Sequence, residues 1–99
     1  MKCMADLCVI PVGNGVSVAD EIAACHRILQ RFPIETQLHA YGTNLYGEWD
    51  DVFAAIKACH AELHEQGVTR LSSTIKVGTR TDKNQTFADK IGAVEDRLK

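Results

Sequence analysis

The sequence predicts one α+β domain over residues 1–99, a ferredoxin-like β-α-β-β-α-β-α sandwich with an antiparallel sheet and helices on one face. Two segments carry apolar residues at the same i, i+4, i+7 and i+11 spacing, which is typical of amphipathic helices: Val18, Ile22, Cys25 and Leu29, then Val52, Ile56, Cys59 and Leu63. Strand-like segments flank both of them. The 99 residues are 45% hydrophobic and 24% charged, the composition of an ordinary globular domain.

The first third of the chain predicts a strand followed by a helix. Residues 2–12 are rich in apolar and β-branched side chains, and Pro11 with the following "GNG" marks the end of the strand. Ser17 is the expected N-cap of the helix, with Asp20 three residues later, and Pro33 ends it. "GNG" lacks the spacing of a phosphate-binding loop, so we interpret it as a turn.

The middle of the chain predicts a hairpin and a second helix. Residues 34–42 alternate as a strand, Gly42 interrupts the pattern, and residues 43–49 form a shorter strand that would pair with the first. Asp50 and Asp51 suit the positive end of a helix, and Gly67 supplies its stop. The pair of strands should therefore be antiparallel.

The last third predicts a strand over residues 69–77 and a final helix. Thr86 and Asp89 have the spacing of a capping box, which places the start of that helix. Its apolar stripe is formed by Phe87, Ile91, Val94 and Leu98.

Composition argues against several classes of partner. The formal net charge of −2 gives no broad basic field, so we expect no nucleic acid. No apolar run approaches the roughly 20 residues of a membrane helix and no signal peptide is evident, so we expect a cytoplasmic protein without a membrane partner. The four cysteines form no CxxC pair, and Cys25 and Cys59 fall at core positions of their helices.

Alternation along the strands predicts one polar sheet face. Leucine, valine and isoleucine side chains go to the helices, and the opposite face receives Asp6, Cys8, Gln37, His39, Tyr41, Ser72, Thr74 and Lys76. Such a face can be polar simply because it meets water. It is also rich in Gln, His, Tyr, Ser and Thr, which favours a partly enclosed surface that packs on another chain and holds a small polar ligand.

The candidates for metal binding and catalysis are few. His60 and His64 lie one helical turn apart and could share a metal, but their order is not HExxH and no third ligand is evident, so no metal site is predicted. Cys8 and His39 are the one nucleophile and base that neighbouring strands could bring together, and no motif supports them. We therefore expect a protein that is not an enzyme and requires no cofactor.

Two further segments carry binding chemistry. Tyr46 and Trp49 lie near Glu48, an arrangement that suits a flat cation, although aromatic residues beside a hairpin also commonly close the end of a core. Arg80 and Lys83 in "RTDK" could bind phosphate or could form exposed ion pairs and subunit contacts.

Three stretches, "ADLCVIPVGNGVSV", "YGTNLYGEWDDVFAAIKACHAEL" and "STIKVGTRTDK", together resemble the small thiamine-binding, YkoF-like family over nearly the whole chain. The resemblance implies ferredoxin-like domains whose open sheets pair as a homodimer or a dimer of dimers, a homotetramer. It also implies a site for thiamine or its pyrimidine moiety near the sheet interface, and it does not imply an enzyme.

Position by position, Asp6, Gly42 and Thr43 and the strand from Ser72 to Lys76 match the family's pattern. One departure is Tyr46, which stands where the family often has Glu in GTxIEG, with a carboxylate displaced to Glu48. The main hypothesis is a non-catalytic binder whose ligand contacts Asp6, Gln37, His39, Gly42, Thr43, Tyr46, Glu48, Ser72, Thr74 and Lys76. The alternative is a homo-oligomeric assembly or regulatory module without a small-molecule ligand.

Overall fold

The computed structural model describes residues 1–13, 15 and 18–99, and within them it contains four strands and three helices. In chain order they are β1 (Lys2–Pro11), α1 (Ala19–Leu29), β2 (Glu35–His39), β3 (Gly42–Glu48), α2 (Trp49–Glu65), β4 (Leu71–Thr79) and α3 (Phe87–Arg97). This confirms the predicted order. In these described ranges no helix combines the length and the apolar character needed to cross a membrane.

The four strands form one antiparallel sheet in the order β2-β3-β1-β4. The predicted antiparallel hairpin is present, since His39 pairs with Gly42. Its turn is formed by Ala40 and Tyr41 instead of Gly42, which already belongs to β3 because it pairs with the end of β2. β1 lies in the interior of the sheet between β3 and β4, with Asp6 opposite Asn44 on one side and Lys76 on the other. The two halves of the chain therefore meet along β1.

The core lies between the sheet and the helices α1 and α2. β1 contributes four buried side chains, Cys3, Ala5, Leu7 and Val9, and the whole predicted stripe of α2 is buried with them. The two helices touch where the Cys59 thiol donates a 3.7 Å hydrogen bond to the Cys25 carbonyl, and the two thiols lie in the core as predicted. α2 thus packs as its sequence pattern indicates.

The stripe of α1 differs from its prediction at one end. Cys25 and Leu29 are buried, whereas Ile22 is 38% exposed and Ala24 and Ile28 take core positions. The core-facing side of α1 is therefore rotated by about one residue, because helical neighbours four apart share a face. The Ser17 cap lies outside the described residues.

The last helix begins on the other side of the sheet from α1 and α2. Its capping box is present as predicted, with Thr86 Oγ1 accepting from the Asp89 N–H and the Asp89 carboxylate accepting from the Thr86 N–H. Phe87 is buried and meets the ring of Tyr46 edge-on, with centroids 6.3 Å apart. Only the N-terminal end of α3 is anchored in this way, since Ile91, Val94 and Leu98 remain exposed.

Candidate functional site

The sheet surface turned away from α1 and α2 is here called the open face. The strand register arranges its side chains in cross-strand rows. One row runs from Gln37 through Asn44 and Asp6 to Lys76, and the next runs from Glu35 through Tyr46 and Met4 to Gly78. Neighbouring strands are about 4.8 Å apart, so a ligand of one ring can touch two strands at once.

Asp6 and His39 are joined across the open face. His39 Nε2 lies 2.6 Å from Asp6 Oδ1, and the Tyr41 N–H donates a 3.2 Å hydrogen bond to His39 Nδ1. Because Nδ1 accepts from an amide, the ring proton belongs on Nε2, which donates to the carboxylate. Both predicted residues are thus held in place, and the carboxylate keeps its second oxygen available.

Gly42 lies beside this link, at a point where two strands approach closely. It lies on β3, between the strands that carry His39 and Asp6, and it faces the same side. A Cβ built at Gly42 would lie 2.6 Å from the carbonyl oxygen of Leu7 and 3.4 Å from Asp6 Oδ1. The absence of a side chain therefore allows the backbone of β1 to approach β3 next to Asp6.

The same hydrogen bonds leave Cys8 without a base. Both ring nitrogens of His39 are already bonded, one to Asp6 and one to the Tyr41 amide. Activation of a thiol requires a free imidazole nitrogen within hydrogen-bond reach. Within the described chain, His39 does not supply one to Cys8.

A concavity on the open face is here called the basic recess. Its volume is about 320 Å³, at the lower end of the range for small-molecule sites. Its floor is formed by Met4, Asp6, Asn44, Tyr46 and Lys76, and its rim is formed by Lys2, Arg80, Lys83, Gln85 and Lys90. Lys2 Nζ lies 5.7 Å from the centre of the Tyr46 ring, and Phe87 supports that ring from α3.

Glu48 lies beside the recess without lining it. Its carboxylate accepts from the N-terminal amine at 2.9 Å and lies 3.8 Å from Lys2. The hydrogen bond and charge of the amine lower the pKa of Glu48, and Glu48 in turn raises the pKa of the amine. This carboxylate is therefore already neutralised by its own chain.

The sequence left two interpretations of the segment from Arg80 to Lys83: a phosphate site, or exposed ion pairs and subunit contacts. Arg80 donates to both carboxylate oxygens of Asp82, at 2.7 and 2.6 Å, and to Gln85 at 2.6 Å. The hydrogen bonds from Arg80 lower the pKa of Asp82 to about 2. Arg80 and Asp82 thus form the exposed ion pair that the second interpretation predicts. Arg80 and Lys83 also line the basic recess.

The predicted site residues do not all meet in one place. Asp6, Tyr46 and Lys76 line the basic recess, whereas Gly42 and His39, which is bonded to Asp6, line a second concavity together with Thr43. The remaining open-face residues, Gln37, Ser72 and Thr74, are exposed outside the recess. Thr43 is buried and faces the helices, where it borders a larger apolar groove of about 740 Å³ between α1 and β2.

Several residues of the recess were not identified by the sequence patterns. Asn44 shares the alternation of Tyr46, and that signal could have identified it together with Met4 on β1. Lys90 carries no comparable signal, because its position depends on how α3 crosses onto the open face.

His60 and His64 do not form a metal site. His60 Nε2 bonds to Ser73 Oγ on β4, and His64 Nδ1 bonds to the Val68 carbonyl 2.8 Å away. The first bond ties α2 to β4, and the second ties the last turn of α2 to the loop that follows it. The described residues contain no group of three or more potential metal ligands.

A small ferredoxin-like α+β domain with a recess on the open side of its sheet is the class of protein that these features define. The chain belongs to the thiamine-binding protein family, whose model matches residues 5–95. It is 48% identical over 95 residues to UPF0045 protein sll0230 of Synechocystis sp., an alignment that covers 96% of this chain and 78% of the relative.

Two solved structures share the fold. Hypothetical protein MJ1052 from Methanocaldococcus jannaschii superimposes with a TM-score of 0.88 at 28% identity, covering 96% of this chain and 97% of that one. A Thermotoga maritima protein, TM0486, named for a suggested role in thiamine biosynthesis or salvage, gives a TM-score of 0.79 at 15% identity, covering 95% and 99%. At that identity the likeness shows the fold alone.

Proposed function

We propose that this protein binds thiamine or a related aminopyrimidine in the basic recess and catalyses no reaction. Membership of the thiamine-binding protein family supports the ligand class. The observation that carries the proposal is the convergence of Asp6, Asn44 and Tyr46 on adjacent strands. They offer a carboxylate, an amide and an aromatic face within one small concavity.

Each of these groups matches a feature of an aminopyrimidine. The free oxygen of Asp6 can accept from the exocyclic amino group, and the Asn44 amide can both donate to and accept from the ring edge. Tyr46 presents a ring for stacking, held in place by Phe87. The Asp6 link to His39 fixes the carboxylate before the ligand arrives, which lowers the entropic cost of binding.

Asp6→Asn is the sharpest test of this site. The amide oxygen can still accept from His39 Nε2, so the fold should be retained while the charge is lost. Because hydrogen bonds to charged groups contribute about 1.5–3 kcal/mol, affinity for the aminopyrimidine should fall roughly 10- to 100-fold. Isothermal titration calorimetry would measure it, with Asp96→Asn on α3 as the matched control.

The two variants together decide the role of the carboxylate. Equal loss of affinity in both would show a nonspecific effect of charge, and no loss in Asp6→Asn would remove this carboxylate from the site. A thermal melt gives an independent readout, since ligand at about 100 times its dissociation constant stabilises by about 2.7 kcal/mol. In a domain of this size that is a shift of roughly 10 °C or more.

Self-association is a second candidate function, supported by the exposed stripe of α3. Ile91 is 46% exposed, Val94 59% and Leu98 79%. A row of exposed apolar side chains along one helix face is unusual and is typical of an interaction surface. A second copy of the chain could cover this stripe in a dimer or a dimer of dimers. Arg80 is a weaker candidate for such a contact, because Asp82 and Gln85 engage it within its own chain.

Sedimentation equilibrium tests this second candidate. Val94→Asp places a charge in the centre of the stripe and should lower the mass of the assembly, while Lys99→Gln at the end of the chain should not change it. A mass equal to one chain in the unmodified protein across micromolar concentrations would exclude the assembly.

A further inference from the structure

The charge of the basic recess differs from that of the whole protein. The protein carries a formal net charge of −2, yet five basic side chains surround this one concavity: Lys2, Lys76, Arg80, Lys83 and Lys90. They come from β1, β4, the following loop and α3, so no basic run marks them in the sequence. Asp6 is the carboxylate among the lining residues.

Two of the five cations already have a carboxylate nearby, and the one beside Lys2 is shared with the N-terminal amine. Glu48 lies 3.8 Å from Lys2, and Asp82 holds Arg80 with two hydrogen bonds. Lys76, Lys83 and Lys90 form no ion pair within the parts of the chain that the structure describes. Three exposed ammonium groups thus face a recess that contains one carboxylate.

The N-terminal end of α3 is not the source of an anion site. Its capping box already uses the Thr86 and Asp89 amides, and the Asp89 carboxylate occupies the positive end of the helix. Recognition of an anion would therefore depend on the lysine side chains. Gly78 leaves open space beside them, since a Cβ built there would have no neighbour within 4 Å.

We propose that the preferred ligand of the basic recess is a phosphate ester of the aminopyrimidine compound, with its phosphate among Lys76, Lys83 and Lys90. This inference rests on the proposed function and refines it. Free thiamine carries a permanent positive charge, which three unpaired lysines repel. A mono- or diphosphate ester adds negative charge that the ammonium groups can bind directly.

The strand rows separate the two ends of such a ligand. In the first of these rows Asn44 and Asp6 precede Lys76, and in the second Tyr46 precedes Gly78. The ring would lie over β3 and β1, and the phosphate would lie over β4, where Lys83 and Lys90 approach. Two strand spacings separate these ends by about 10 Å, a span that suits an extended ester.

The test compares thiamine, thiamine monophosphate, thiamine diphosphate, the free pyrimidine and inorganic pyrophosphate by isothermal titration calorimetry with the unmodified protein. Affinity should increase from thiamine to the diphosphate by roughly tenfold or more, since each charge-assisted hydrogen bond contributes on this order. Raising the salt concentration should narrow the difference, because exposed charges are screened.

The double variant Lys83→Gln/Lys90→Gln identifies the groups responsible. It should weaken diphosphate binding by roughly tenfold or more while leaving free thiamine unaffected or bound more tightly. Lys57→Gln, on the exposed side of α2, changes the same kind of charge far from the recess and should have no effect.

The possible results separate the two proposals. Thiamine bound as tightly as its diphosphate would overturn the phosphate inference and leave the binding function intact. Pyrophosphate bound as tightly as the diphosphate ester would also overturn it, because the ring would then contribute nothing. No binding of thiamine, its esters or the free pyrimidine would reject both proposals.

Discussion

Substitution of Gly42 by alanine should destabilise the protein and loosen its candidate site together. The added Cβ would lie 2.6 Å from the Leu7 carbonyl oxygen, which belongs to the backbone of the neighbouring strand and cannot rotate away. It would also lie 3.4 Å from Asp6 Oδ1. The sheet must therefore shift locally beside Asp6, the residue that accepts from His39.

The expected loss of stability depends on whether the atom that the new Cβ meets belongs to the backbone or to a side chain. Overpacking that displaces backbone costs about 1–3 kcal/mol, and in a domain of this size each kcal/mol lowers the melting temperature by about 4–8 °C. We therefore expect Gly42→Ala to melt roughly 5 to 20 °C lower. At Gly47 the nearest atom is Cγ2 of Ile34, at 2.8 Å, which belongs to a side chain and can move more readily. Gly47→Ala should cost less.

Urea unfolding and thermal melts would measure this series, with Gly78→Ala as the matched control. Gly78 lies within β4, a Cβ added there would have no neighbour within 4 Å, and its φ is not positive. Its alanine variant should therefore be as stable as the unmodified protein or slightly more stable. Equal stability of Gly42→Ala and Gly78→Ala would refute the steric argument.

Three smaller predictions follow from local contacts. Hydrogen bonds from Arg80 hold the pKa of Asp82 at about 2, and NMR titration of Arg80→Gln should show it return toward 3.8. Because the folded pKa is the lower one, this pair stabilises the fold above the unfolded value, and its contribution disappears as pH falls toward 2. The hydrogen bond with Cys25 and burial raise the pKa of Cys59, so iodoacetamide should modify the half-buried Cys8 first in the folded protein and both thiols equally in urea. Thr86→Ala removes the capping box and should destabilise α3 by about 1 kcal/mol, with faster amide exchange confined to that helix.

The sequence best predicts the packing of a helix whose apolar side is buried along its whole length. Val52, Ile56, Cys59 and Leu63 repeat on one side of α2 because the sheet and α1 cover that side along its length. α3 has an equally regular pattern, yet Phe87 alone of its stripe is buried. Periodicity indicates that a helix has an apolar side, but it does not identify what covers that side.

The candidate site is harder to predict than the fold. Strand alternation places some of its residues, but others depend on how segments far apart in the sequence pack together. Alternation correctly places Asp6, His39 and Lys76 on one face, since strand neighbours two apart point the same way. Thr43, chosen by its match to the family, faces the core for the same reason that Gly42 faces outward. The contributions of Lys83 and Lys90 depend on the path between β4 and α3, which local patterns do not specify.

The departure from the family pattern at Tyr46 connects these observations. The resemblance implies a glutamate at this position in many relatives, and the carboxylate displaced to Glu48 is engaged by the N-terminal amine and Lys2 instead of entering the recess. Replacing a carboxylate by a phenol makes the recess one charge more positive, and it supplies an aromatic surface beside Asn44 and Asp6. Both changes act in the same direction: they weaken attraction for a bare cation and favour a ring that carries its own negative group. Tyr46→Glu should therefore shift preference from the phosphate ester back toward free thiamine in the same calorimetric titrations, a reversal that loss of Tyr46 stacking alone would not produce.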